Sequence, residues 1–169
     1  MAQFSKILFP VDLSVVSPAI VPWVRMMAEK FGAELHLLFV ARRMEHVSTV
    51  YVAQATIESF MAEFVKGSEA RIEEFANTNF KDMPSCRTKV ILGDAAEEIV
   101  NYVESEKIDL VVMGTHGRKG LDRILFGSVA EKVVRHAHCP VLVVRPRSGT
   151  GDVLVATDFS DAALPAVAA

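Results

Sequence analysis

Cysteine is scarce in this chain: Cys86 and Cys139 are the only two among 169 residues. Two thiols are too few for a disulfide scaffold, and the pattern leads us to expect reduced side chains in a cytoplasmic protein. Long apolar runs are absent as well. None approaches the roughly 20 residues that span a bilayer. The start, Met1-Ala2-Gln3-Phe4-Ser5-Lys6, has no charged head, apolar stretch and small-residue cleavage site of a secretory signal. Nor is there an excess of positive charge. The formal net charge is −3, which gives no reason to expect nucleic acid as a partner. Three catalytic patterns are missing: no G-x-S-x-G elbow, no H-E-x-x-H and no C-x-x-C. Two familiar phosphate motifs are missing too. No G-x-x-x-x-G-K-[ST] occurs, and the first apolar run enters Pro10-Val11-Asp12-Leu13-Ser14 rather than G-x-G-x-x-G.

What is present is an alternation of short apolar runs and longer helical patterns. Hydrophobic residues make up 51% of the chain and charged residues 23%, the balance of a globular domain. Ile7–Val11 reads as a first strand. Ser17-Pro18 reads as an N-cap with proline opening a helix that runs to Phe31 and stops at Gly32. Leu35–Val40 is a second strand, followed by a loop over Arg42–Ala53. Thr56 to Asn77 is a long helix, with Ile57, Phe60, Met61, Phe64 and Val65 at helical spacing. Val90–Leu92 belongs to a third strand that ends at Gly93-Asp94, and Asp94 with Glu97 resembles a capping box. Asp109–Met113 is a fourth strand. After a glycine-bearing loop, Ser128 and Glu131 form the S-x-x-E box of a helix ending near His136. Pro140–Arg145 is a fifth strand. The strands are nearly continuous apolar runs, which predicts a parallel sheet covered by helices on both faces, a doubly wound α/β fold.

The opening segment returns. Ile7-Leu8-Phe9-Pro10-Val11-Asp12-Leu13-Ser14 aligns with Val153-Leu154-Val155-Ala156-Thr157-Asp158-Phe159-Ser160 without a gap. Residues 1–146 then read as one domain, 147–151 as a linker and 152–169 as the start of a second, truncated copy.

The stretch richest in chemistry follows the fourth strand: Gly114-Thr115-His116-Gly117-Arg118-Lys119-Gly120, continuing to Phe126-Gly127-Ser128. Glycines let backbone N–H groups approach an anion with no Cβ in the way. Successive N–H groups form a concave anion site, and a helix N-terminus adds unpaired donors and a favourable dipole. Arg118, Lys119 and Arg123 outnumber Asp122, so the loop is locally cationic. Ser128 suits an N-cap, a phosphate donor or both. His116 suits a phosphate contact or a solvated loop position. Asp12 suits orientation of backbone or of a metal, or a solvated carboxylate at a strand end. His136, His138 and Cys139 do not have the spacing of paired zinc ligands, and a histidine near a helix C-terminus is accounted for by the dipole.

The spacing G-x-x-G, nine residues, G-[ST], carried by Gly114, Gly117, Gly127 and Ser128, resembles the ATP-binding signature of the universal stress protein family. Ile7–Ser14 resembles that family's opening strand, and His136–Val144 its closing one. The resemblance implies a five-stranded parallel sheet in the order 3-2-1-4-5, the adenine nucleotide alpha hydrolase-like, Rossmann-like arrangement. Ligands of such sheets sit outside the strand C-termini where the order reverses, here between strands 1 and 4. The resemblance further implies that Pro10, Val11 and Asp12 border the nucleotide and that Val40 touches adenine. Met113, Gly114, Thr115, His116, Gly117, Arg118, Lys119 and Gly120 would wrap ribose and phosphates, and Gly127, Ser128 and Val129 would hold the triphosphate. The implied cofactor is ATP, with Mg²⁺ or Mn²⁺ held mainly by phosphate oxygens and water. The implied role is a nucleotide-dependent regulatory module in stress response. A slow metal-dependent ATPase or nucleotidyl transferase, and a dimerising scaffold without nucleotide, are the alternatives. The apolar fifth strand should lie at a sheet edge, and such an edge finds a partner. The expectation is a homodimer through 140–145, pairing with a second domain, or docking of Val153–Thr157 on a neighbour.

Overall fold

The computed structural model describes residues 4–14, 17–42, 54–115, 127–145 and 153–155, with backbone alone at 54–58 and 153–155. The order along the chain is β1 (Lys6–Pro10), α1 (Val21–Phe31), β2 (Glu34–Ala41), α2 (Gln54–Asn79), β3 (Cys86–Leu92), α3 (Ala95–Glu106), β4 (Leu110–Gly114), α4 (Ser128–His136), β5 (Val141–Val144) and β6 (Val153–Val155). Five strands form a parallel sheet in the order β3-β2-β1-β4-β5, the order that the family resemblance implies, and β6 joins β5 antiparallel.

Period-two alternation divides the buried side chains between two layers. Ile7 and Phe9 of β1, Leu35, Leu37 and Phe39 of β2, and Leu110 and Val112 of β4 face one layer. There they meet Val24, Met27 and Ala28 of α1 and Ile72 of α2. Phe9, Phe75 and Phe80 form an aromatic cluster in this layer, with ring centroids 6.2–6.4 Å apart. Leu8, Leu38, Val111, Met113 and Val143 face the opposite layer, against Ala96, Ile99 and Val103 of α3 and Ala130 and Val133 of α4. Each such side chain stabilises the fold by about 1.5–3 kcal/mol relative to exposure. A sheet buried on both faces is why its strands are continuous apolar runs instead of alternating ones.

Several local expectations hold. Gly32 ends α1 with φ 61°, the left-handed conformation glycine adopts without a Cβ penalty. Asp94 caps α3, its carboxylate accepting from the amides of Ala96 at 3.1 Å and Glu97 at 3.3 Å.

Others are corrected. Ser17 does not cap α1. Ser17–Ile20 form a 3₁₀ turn, α1 begins at Val21 with Pro22 in its first turn, and the Ser17 hydroxyl donates to Asp12 instead. Ser128 is the first residue of α4 rather than its cap. Gly127 occupies the cap position without a side-chain bond, and the Glu131 carboxylate pairs with Arg135. β3 starts at Cys86, earlier than the Val90–Leu92 core of the expectation. Val153–Val155 docks on β5 of its own chain, where a neighbour's edge was expected.

Candidate functional site

The site is built where β1 and β4 part. Their register runs through Ile7↔Leu110 and Leu8↔Val111. Beyond that point β1 follows β2, to Pro10↔Leu38, while β4 follows β5, to Gly114↔Val144. Pro10 contributes to the parting. The Val11 amide donates to the Leu38 carbonyl at 2.8 Å, toward β2. Successive amides of a strand point to opposite edges, so the position of Pro10 faces β4, and proline has no N–H to give there. The ladder stops there, with Pro10–Ser14 on one side of the strand switch point and Met113–Thr115 on the other, the place where sheets of this kind open a crevice.

Asp12 leads the first wall. Its Oδ1 accepts from the Ser14 amide at 3.0 Å and from the Ser17 hydroxyl at 2.6 Å. This Asx turn bends the chain sharply, and Leu13 between the two residues has φ 55°. A left-handed conformation costs a non-glycine residue about 1–3 kcal/mol, and such strain collects at functional sites. Arg71 of α2 reaches the same turn, its guanidinium donating to the Leu13 carbonyl at 3.4 Å.

The second wall carries the glycine motif. Thr115 is buried, and its amide donates to the Val144 carbonyl at 3.0 Å, continuing the β4–β5 ladder one residue past the strand. The Gly127 amide donates to the Thr115 carbonyl at 2.6 Å. That bond joins the residues flanking 116–126 at the tip of β4. It also fixes the first turn of α4 beside the crevice. The Gly127 carbonyl accepts from the Glu131 amide at 2.9 Å, and glycine at the cap position offers no side chain to the turn.

Of the residues named from the sequence, Pro10, Val11, Asp12, Val40, Met113, Gly114, Thr115, Gly127, Ser128 and Val129 lie at strand C-termini or at the α4 N-terminus. Val11 and Met113 are buried like Thr115, so these three offer backbone rather than side chain to a ligand. Val40 is half-buried near the end of β2. His116, Gly117, Arg118, Lys119 and Gly120 fall outside the described residues. The sequence placed Ser17 only as a helix cap and did not single out the strained Leu13, for which the run Asp12-Leu13-Ser14 carried the Asx-turn signal. Among the described residues, no three of His, Cys, Asp or Glu converge on a metal position. His136, His138 and Cys139 form no such group, and His138 instead lies 3.1 Å from Glu104. Among the described residues, a shallow depression of about 640 Å³ is lined by α1, including Val21, Arg25 and Glu29, and by none of the named residues.

The model of the universal stress protein family matches residues 3–145. The chain belongs to that family. Universal stress protein MJ0531 of Methanocaldococcus jannaschii is 38% identical over 146 residues, covering 84% of this chain and 82% of the relative. Universal stress protein MJ0577 of the same organism is 27% identical over 158 residues, covering 86% and 98%. The solved structure of MJ0577 superposes with a TM-score of 0.75 over 88% of this chain and 100% of that one. A universal stress protein crystallised in complex with cAMP shares the fold at 20% identity, with a TM-score of 0.56 over 84% and 97%. Like its relatives, the domain is a parallel 3-2-1-4-5 sheet with helices.

Proposed function

We propose that this universal stress protein binds ATP in the crevice between β1 and β4 and acts as a nucleotide-dependent regulatory module in stress response. The observation that carries the reading is the Gly127–Thr115 hydrogen bond of 2.6 Å, which holds both ends of the glycine motif at the C-terminal end of β4, the strand that neighbours β1 at the switch point of the sheet. In this reading Pro10, Val11 and Asp12 border the nucleotide and Val40 packs on adenine. Met113 to Gly120 wrap ribose and phosphates. Gly127, Ser128 and Val129 present the first turn of α4 to the triphosphate, where amide donors and the helix dipole favour negative charge. The solved cAMP complex of the same fold makes an adenine nucleotide the natural first ligand to test.

A divalent ion fits this site only as a companion of the phosphates. Asp12 is the one acidic group named at the crevice, and its Oδ1 already accepts two hydrogen bonds, from Ser14 and Ser17. Mg²⁺ or Mn²⁺ would neutralise phosphate charge, held by phosphate oxygens and water with Asp12 as at most one ligand. The tandem reading of 1–146, 147–151 and 152–169 completes the proposal, with pairing through the 140–145 edge to a second copy or a second domain. Free Cys86 and Cys139 suit a reducing compartment such as the cytoplasm.

Calorimetric titration of ATP, cAMP and GTP, with and without Mg²⁺, tests the reading, with Gly117→Val as the control. The expected result is saturable ATP binding that the substitution abolishes. ATP binding of equal affinity in native and Gly117→Val chains, or none in either, overturns it.

A further inference from the structure

The two edges of the five-stranded sheet are built differently. The β3 edge carries Arg87 and Lys89, both facing water to some degree, and Arg87 is ion-paired with Glu34. Charges on an edge strand discourage another chain from adding to it. The β5 edge reads Val141-Leu142-Val143-Val144, buried throughout, with no charge and no proline inside it. Such an edge demands cover. In this chain the cover is β6, paired antiparallel through Leu142↔Val155, Val143↔Leu154 and Val144↔Val153.

The identity of β6 makes the contact unusual. Its sequence repeats that of β1, a central strand flanked by parallel partners on both sides. Here the repeat lies antiparallel at an edge. That is the orientation a second copy's β5 would take, because a strand meeting itself across a two-fold axis is antiparallel. From this we infer that β6 is a detachable cap on the β5 edge, standing where β5 of a second copy of this chain would pair. Eight residues, 145–152, join the two strands. A tether that short gives an effective concentration of about millimolar. At micromolar chain the cap therefore outcompetes an equally good strand from a second copy by roughly a thousandfold. The cap rests on the pairing of copies through 140–145 proposed above, and the experiment separates the two.

The full chain carrying Leu154→Pro with Val155→Pro removes an N–H on both sides of β6, so whichever side faces β5 loses its donor. Light scattering after gel filtration, from about micromolar to about millimolar chain, is compared with the native protein. Hydrogen exchange is followed at Val143, whose amide faces β6 while those of Leu142 and Val144 face β4. The native chain is expected to be monomeric at micromolar concentration with the Val143 amide protected. The variant should dimerise there and keep the protection. A variant that stays monomeric with an exposed Val143 amide would refute both the cap and the pairing of copies. Equal dimerisation of native and variant chains would retain the pairing and refute the cap. A variant that fails to fold would make β6 an integral strand, which also refutes a detachable cap.

Discussion

Acidification should destabilise this domain through one buried imidazole. His36 lies on β2 with no exposed surface, its Nδ1 3.0 Å from the Tyr102 hydroxyl of α3. Its Nε2 is buried with no hydrogen-bond partner among the described residues, and the Glu34 carboxylate stands 3.7 Å away. Burial pushes the His36 pKa below its ordinary value, and the positive charges of Lys6 on β1 and Arg87 on β3 push the same way. The carboxylates of Glu34 and of Glu106 on α3 oppose the shift without cancelling it. With the folded pKa depressed, the unfolded chain binds a proton that the folded chain refuses. Stability is therefore full above the unfolded value of about 6.5 and falls as pH drops through that value toward the folded one. One proton corresponds to at most about 1.4 kcal/mol for each pH unit in that window. Urea unfolding at a series of pH values from about 8 to about 5 measures the slope. The reference is a His36→Phe, Tyr102→Phe double variant, in which both bond partners become apolar groups of similar shape. The native chain should lose stability below neutrality more steeply than the variant, by up to that amount per unit. Parallel curves would show that His36 protonates as easily folded as unfolded, and the reasoning would fail.

Two other predictions rest on local geometry. Asp94→Ala should lower unfolding stability by about 1 kcal/mol, because two α3 amides lose their acceptor, whereas Ser128→Ala should change it by a few tenths at most. Equal losses in denaturant melts would mean that Ser128 caps α4 after all. Burial pushes both the Cys86 and Cys139 thiols up to about 11. Iodoacetamide at pH 8 should therefore alkylate the folded protein roughly a hundredfold more slowly than the unfolded chain, since the thiolate is the nucleophile; similar rates by mass spectrometry would contradict the assigned burial.

The architecture was legible because a sheet covered on both faces imposes a simple pattern. Ile7–Val11, Leu35–Val40 and Asp109–Met113 can hardly be anything but interior strands when helical patterns separate them. β3 was legible only in its second half. Its first half, Cys86-Arg87-Thr88-Lys89, lies at an edge where alternate side chains meet water, and the apolar signal thins accordingly. Gly32 and Asp94 were readable since each acts within its own turn. Ser17 was not, because a hydroxyl that could cap a helix is equally able to bind Asp12 five residues back, and the fold chose the latter. The His36–Tyr102 pair joins residues 66 positions apart, and no local spacing announces it. At the candidate site, the motif spacing pointed to the loop. The pairing of Thr115 with Gly127 and the missing ladder bond at Pro10 emerge once β1 and β4 are laid side by side. The domain boundaries and the 116–120 part of the loop remain proposals resting on the sequence.

The central claim is that ATP occupies the crevice at the ends of β1 and β4. Backbone amide chemical shifts recorded during an ATP titration test it most directly. The account predicts perturbations concentrated at Val11–Ser14, Val40, Met113–Thr115 and Gly127–Val129, with the α1 residues Arg25–Lys30 unmoved. Shifts centred on α1, or spread evenly with those four segments unaffected, would contradict it.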